Sequence, residues 1–249
     1  MSLSKIWILT ILLSKMVIKQ KTTPIILLIG TLSIITSSAI SGIDIGDKNN
    51  RLFVDATIFI QSSILTLISI FFALNYLERE RRGGVFIVPL SSGIGRDIYF
   101  IAIINSQILI LTLIFILFAT IDLIFITIFK IDMIIIYQLF LAFLSSTILA
   151  TLVISIGQYA SPLKALIYST LIYFIGNSLD ELFIYSYQLK PDENLQTLYQ
   201  ILVTIFPNFY IFDSKNISFQ PLFHTLIQIT LLSALGYFQF KRKILKVEN

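Results

Sequence analysis

Six long stretches of the chain contain no Asp, Glu, Lys or Arg: 22–43, 56–77, 98–121, 133–163, 165–179 and 216–240. A helix needs roughly 20 mostly apolar residues to cross about 30 Å of hydrocarbon. Five of the stretches meet that length. The remaining one, 165–179, is short but continues past Asp180 and Glu181 to Tyr185. The stretch 133–163 holds a span plus a turn at Ser161-Pro162, and the last span begins at Pro221 or Leu222. The predicted spans are therefore about 22–43, 56–77, 98–121, 133–157, 163–185 and 221–240. Backbone N–H and C=O groups find no partner in lipid, so a crossing segment closes its hydrogen bonds within itself, as a helix. A barrel would need strands of about ten residues alternating apolar and polar, and these stretches do not alternate. The pattern predicts an all-α membrane protein, a single transmembrane domain over residues 1–249.

Composition agrees. The 249 residues are 56% hydrophobic and 13% charged, where soluble domains are about 25% charged. The mean hydropathy is +0.89. One soluble core of this size could not hide that much apolar surface, whereas a bilayer solvates it. The net charge of +4 does not point to nucleic acid, because Lys and Arg sit between apolar stretches rather than on one soluble face. With no cysteine there are neither disulfides nor thiolate metal sites.

Charge then sets the expected orientation, because Lys and Arg gather in cytoplasmic loops. With six spans, alternate connections share a side. One side receives Lys5, Lys15, Lys19 and Lys21, then Arg79, Arg81, Arg82 and Arg96, then Lys164 and the tail from Lys241: thirteen of the eighteen basic residues. The other side receives Lys48, Arg51, Lys130, Lys190 and Lys215, with acids such as Asp44, Asp47, Asp55 and Asp132. Both termini are predicted on the cytoplasmic side of the membrane, with Asn50 and Asn194 outside.

Two shorter segments complete the pattern. Lys5 followed by Ile6 to Leu13 is too short an apolar run for a signal peptide, Lys15 follows at once, and no small-residue cleavage site appears. Residues 1–21 read as an interfacial helix, the alternative being an extension of the first span. After Pro191-Asp192-Glu193, the residues Leu195, Leu198, Tyr199, Leu202, Ile205 and Phe206 follow helical spacing until Pro207. About twelve residues cannot cross a bilayer, so a short helix at the outer interface is expected there.

The most informative connection is the second. It reads Glu78-Arg79-Glu80-Arg81-Arg82-Gly83-Gly84-Val85, then Phe86-Ile87-Val88-Pro89-Leu90-Ser91, then Arg96-Asp97-Ile98-Tyr99. A dense charge cluster ends a span, and two glycines let the chain turn. The apolar piece that follows is too short to span and too apolar to float free. It should lie along the membrane surface and present charge to a cytoplasmic partner, or act as a simple positive anchor. The pattern resembles the permease subunit of the type-2 ATP-binding-cassette transporters. Those chains carry an acidic-basic stretch ending in glycine after the second span, an apolar segment, a Pro followed by a small polar residue, and a Tyr opening the third span. Glu80, Gly83, Pro89, Ser91 and Tyr99 occupy those places, while Val85 stands near where many members have Thr and the Gly-Lys pair that often follows the Tyr has no match. The segment Phe206-Pro207-Asn208-Phe209-Tyr210-Ile211-Phe212-Asp213 is loosely similar to one these permeases carry before their last span.

The resemblance implies a coupling helix between spans 2 and 3 that seats in a separate ATPase subunit, with a second permease copy or a paralogue completing the pathway. Arg79, Glu80, Arg81, Arg82 and Arg96 would then contact the ATPase, and Gly83, Gly84 and Pro89 would shape the coupling element. The chain has no Gly-x-x-x-x-Gly-Lys-[Ser/Thr] loop, so ATP and Mg would be held by the partner and this chain would carry no cofactor. A haem-exporter-like permease is the nearest alternative within transporters. An integral membrane enzyme is disfavoured because the single histidine, His224, cannot supply a zinc cluster. A channel subunit is the other rival, although no span shows a regular polar stripe.

Polar groups inside spans are costly and point first to function. Asp122, Asn177, Asp180 and Glu181 lie near outer span ends and form a possible pathway lining, the simpler reading being that they reach the interface. Gln61, Asn105 and Gln107 are expected to join helices by hydrogen bonds.

Overall fold

The computed structural model describes residues 3–19, 30–32, 48–83, 95–129, 133–189, 209–213 and 217–245, with single positions at 24, 28, 197, 199 and 207. Among them every regular element is helical. These are α1 (Leu3–Ile18), α2 (Lys48–Gly83), α3 (Arg96–Phe129), α4 (Ile134–Gly157), α5 (Pro162–Leu189), a 3-10 turn (Tyr210–Asp213) and α6 (Gln220–Leu245). Four stretches are long and apolar enough to cross a membrane: Val54–Glu80, Asp97–Ile128, Ile134–Gly157 and Gln220–Lys241. The protein is thus an all-α, multi-pass membrane chain. The expected first span at 22–43 and the short helix at 195–206 lie outside the described residues, apart from isolated positions.

Helix bounds depart from the expected spans where charge alone marked an end. α2 begins at Lys48 and continues through Glu78-Arg79-Glu80 to Gly83, so both flanks expected in connections are helical. α3 runs straight through Asp122 to Phe129. Glu, Lys and Arg are good helix formers, so a charge stops a lipid-facing surface without stopping a helix. α4 and α5 match closely, because Gly157 and the helix-starting Pro162 are backbone signals rather than solvation signals.

α4 is the hub. Of its spanning stretch 78% is buried, against 28% in α3 and 22% in α6. It packs on α2, α3, α5 and α6. Its sequence permits this, since Ser145, Ser146, Thr147, Ala150, Thr151 and Ser155 are small and uncharged around the whole circumference. Three of their hydroxyls are satisfied locally or across one seam: Thr147 and Thr151 donate to the carbonyls four residues back, and Ser155 Oγ donates to Leu232 O of α6 at 2.7 Å, while Ser146 Oγ has no partner among the described residues. Gly236 makes that seam close; a Cβ there would meet Ser155 Oγ at 2.8 Å and Phe100 Cζ at 2.9 Å.

Contacts fix the direction of each helix. Tyr76 near the end of α2 meets Tyr99 at the start of α3, while Gln61 in the first half of α2 meets Asp122 late in α3. Tyr237 late in α6 meets Asp97 at the start of α3, and Ser218, just before α6, meets Tyr137 at the start of α4. Neighbouring helices in the chain therefore alternate in direction. The ends of α2, α4 and α6 gather with the starts of α3 and α5 at one pole, which carries Arg79, Lys164 and Lys241. The opposite pole carries Asp55 and the end of α5. α1 buries Leu9, Thr10, Leu13, Ser14 and Val17 against α3, with Ser14 Oγ reaching Ser106 O, and leaves Lys5, Lys15 and Lys19 exposed.

Candidate functional site

At the basic pole, α2 and α3 are joined before the chain passes between them. Tyr76 Oη donates to Tyr99 Oη at 2.7 Å, and both rings are buried. One turn beyond Tyr76, on the same face, Glu80 is only 4% exposed. It faces the protein, whereas Arg79 is exposed. Tyr237 Oη donates to Asp97 Oδ1 at 2.5 Å and ties α6 to the same place. Tyr99, Phe100, Tyr237 and Phe240 pack ring against ring around the joint. Three helices, α2, α3 and α6, are thereby joined at one place. Arg81, Arg82, Gly83 and Arg96 lie on the helices that flank this segment, with side chains outside the described ones; Gly84 and Pro89 lie outside the described residues.

At the opposite pole a cavity of about 320 Å³ opens between α2, α4, α5 and the segment before α6. α2 contributes Asp55, Ile58, Phe59, Ser62 and Thr66; α4 contributes Gln138, Ala142 and Ser145; α5 contributes Tyr173 and Asn177. These positions recur at three- and four-residue spacing, so each helix turns one polar stripe toward the same space. Phe209 and Phe212 close the remaining wall. Their placement depends on Gly176: Phe209 N donates to Gly176 O at 3.3 Å, and a Cβ on Gly176 would collide with Pro207 O and meet Phe209 Cδ2 at 2.8 Å. Tyr173 and Phe209 sit edge to face, centroids 4.8 Å apart.

The anticipated lining residues separate. Asn177 lines the cavity. Asp122 does not; it is fully buried and accepts a 2.7 Å hydrogen bond from Gln61 Nε2. Its other oxygen and Gln61 Oε1 have no partner among the described residues. The Asp122 side chain is therefore enclosed by protein, and Gln61 joins helices as anticipated. Asp180 and Glu181 lie on α5, one turn beyond Asn177, with side chains outside the described ones. The stripes of α2, α4 and α5 escaped the sequence reading because each is short and interrupted by Ile58, Phe59 or Ala142. A period of 3.6 over 55, 62, 66 and over 138, 145 was the signal that could have found them.

No protein-family model matches the sequence, and no curated protein is significantly similar to it, so the chemistry of both poles rests on the residues that build them.

Proposed function

We propose that this chain is the membrane-spanning subunit of an ATP-binding-cassette transporter, an exporter that works with a separate ATPase subunit and a second permease copy or paralogue. It has six spans in a bacterial inner membrane, with both termini and the basic pole in the cytoplasm, α1 at the inner boundary, and no catalytic residue of its own. ATP and Mg reside on the partner. The observation that carries this reading is the joint at the basic pole. A charged helix end, Glu78 to Gly83, and a helix start at Arg96 flank a segment whose displacement is passed to α2, α3 and α6 through Tyr76–Tyr99 and Tyr237–Asp97. That is the mechanical arrangement a coupling element requires. The alternating helix directions and the gathering of Arg79, Lys164 and Lys241 at one pole support the topology.

In this arrangement Arg79 reaches the ATPase directly, and Glu80 acts inside the joint rather than at the contact. Purification in mild detergent should bring down an ATPase polypeptide. Arg79→Glu combined with Arg82→Glu should abolish the capture while leaving the helical content unchanged. An ATPase that stays bound to the double variant, or none with the wild-type chain, would refute the coupling role.

A further inference from the structure

The outer cavity has a chemistry of its own. Among the described residues Asp55 is the one charged group that lines it, and no described Lys, Arg or His borders it. The Gln138, Asn177, Ser145 and Tyr173 side chains make no hydrogen bond to a described residue, so their polar atoms are available to a ligand. Phe59, Tyr173, Phe209 and Phe212 supply four aromatic rings. At about 320 Å³ the space is near the lower end of the roughly 300–1,000 Å³ typical of small-molecule sites.

These features select by charge and by surface. An anion would meet the Asp55 carboxylate and the negative faces of the rings, with no cation among the described lining residues to offset them. A neutral sugar could use the amides, but it would leave the carboxylate and part of the aromatic wall without complementary groups. A cation with an apolar body satisfies both, its charge held by the carboxylate and by the ring faces. Asp55, at the start of the spanning part of α2, sits toward the rim and is exposed, whereas Thr66, eleven residues on, is about 16 Å deeper along the helix. The charged end of the ligand therefore sits at the mouth and the apolar end inside.

We infer that this cavity is a binding site for a hydrophobic organic monocation, such as an aromatic or alkyl-substituted quaternary ammonium compound, entered from the pole that carries Asp55. Binding itself does not depend on the transport role; only the statement that the ligand is cargo rests on that role. The test uses the full chain in nanodiscs of zwitterionic phosphatidylcholine, without any ATPase, and ethidium as the probe in equilibrium dialysis. Ethidium should bind saturably. Asp55→Asn should weaken it by about twofold to fivefold, the range for a partly screened charge pair. Phe59→Leu should weaken it by a similar factor. Phe59 is 73% exposed, so this substitution leaves the fold intact. Fluorescein, an anion of comparable size, and neutral phenyl glucoside should not compete. Non-saturable uptake, equal affinity in wild type and both variants, or displacement by fluorescein or phenyl glucoside would overturn the assignment. Failure to capture an ATPase would remove the transport reading and leave this binding result standing.

Discussion

Gln61 and Asp122 connect the halves of α2 and α3 that lie away from the basic pole through one hydrogen bond in a fully buried setting. In a membrane interior such a bond is worth about 0.6 kcal/mol on average and about 1.7 at most, because the separated helices also find partners. A double-mutant cycle on Gln61→Ala and Asp122→Ala, read by unfolding in detergent, should give a coupling energy within that range. Asp122→Asn should retain most of the stability, since an amide oxygen still accepts from Gln61. A coupling of zero would mean that the two side chains do not meet. The pair was only half legible in the sequence. Gln61 stands out as a polar group within an apolar stretch, but Asp122 follows directly on one and reads as a pathway-lining or interfacial group near a span end, because a partner 61 positions away cannot be inferred from local pattern. Glu80 illustrates the same limit. Its neighbours Arg79 and Arg81 make the cluster look solvated, whereas helical rotation turns this one carboxylate inward beside Tyr76.

Helices α2, α3 and α6 meet where Tyr76, Tyr99, Asp97 and Tyr237 join their ends. Replacing Tyr99 by Phe removes one buried hydrogen bond and leaves a second hydroxyl, that of Tyr76, without this partner. The cost should be about 1 kcal/mol in thermal unfolding. If the joint transmits motion, Tyr99→Phe should also reduce ATPase stimulation in the reconstituted complex by more than its small stability loss accounts for. Unchanged stimulation would make the joint a structural clamp only. At this scale the sequence was most informative where backbone chemistry marked an end. The expected span 133–157 differs from α4 by one residue, and Ser161-Pro162 marked the turn into α5. It was least informative where charge marked an end, as at Lys48 to Asp55 and Glu78 to Gly83, because solvation and helix formation are separate properties of the same residues. The cavity stripes were hidden for a further reason. Three interrupted patterns acquire meaning only when α2, α4 and α5 converge.

Across the whole molecule, the helices alternate in direction and separate a basic pole from one that carries Asp55 and the aromatic cavity. The proposed transporter depends on the basic pole facing the cytoplasm, because an ATP-driven partner works only from that side. The chain lacks cysteine, so single cysteines introduced at the exposed positions 79 and 55 report on each pole without background. The most direct test labels Arg79→Cys and Asp55→Cys variants in spheroplasts with a membrane-impermeant maleimide. Position 55 should react in intact spheroplasts, and position 79 only after the membrane is opened. Labelling of position 79 from outside would put the charged joint on the wrong face for an ATPase and contradict the account.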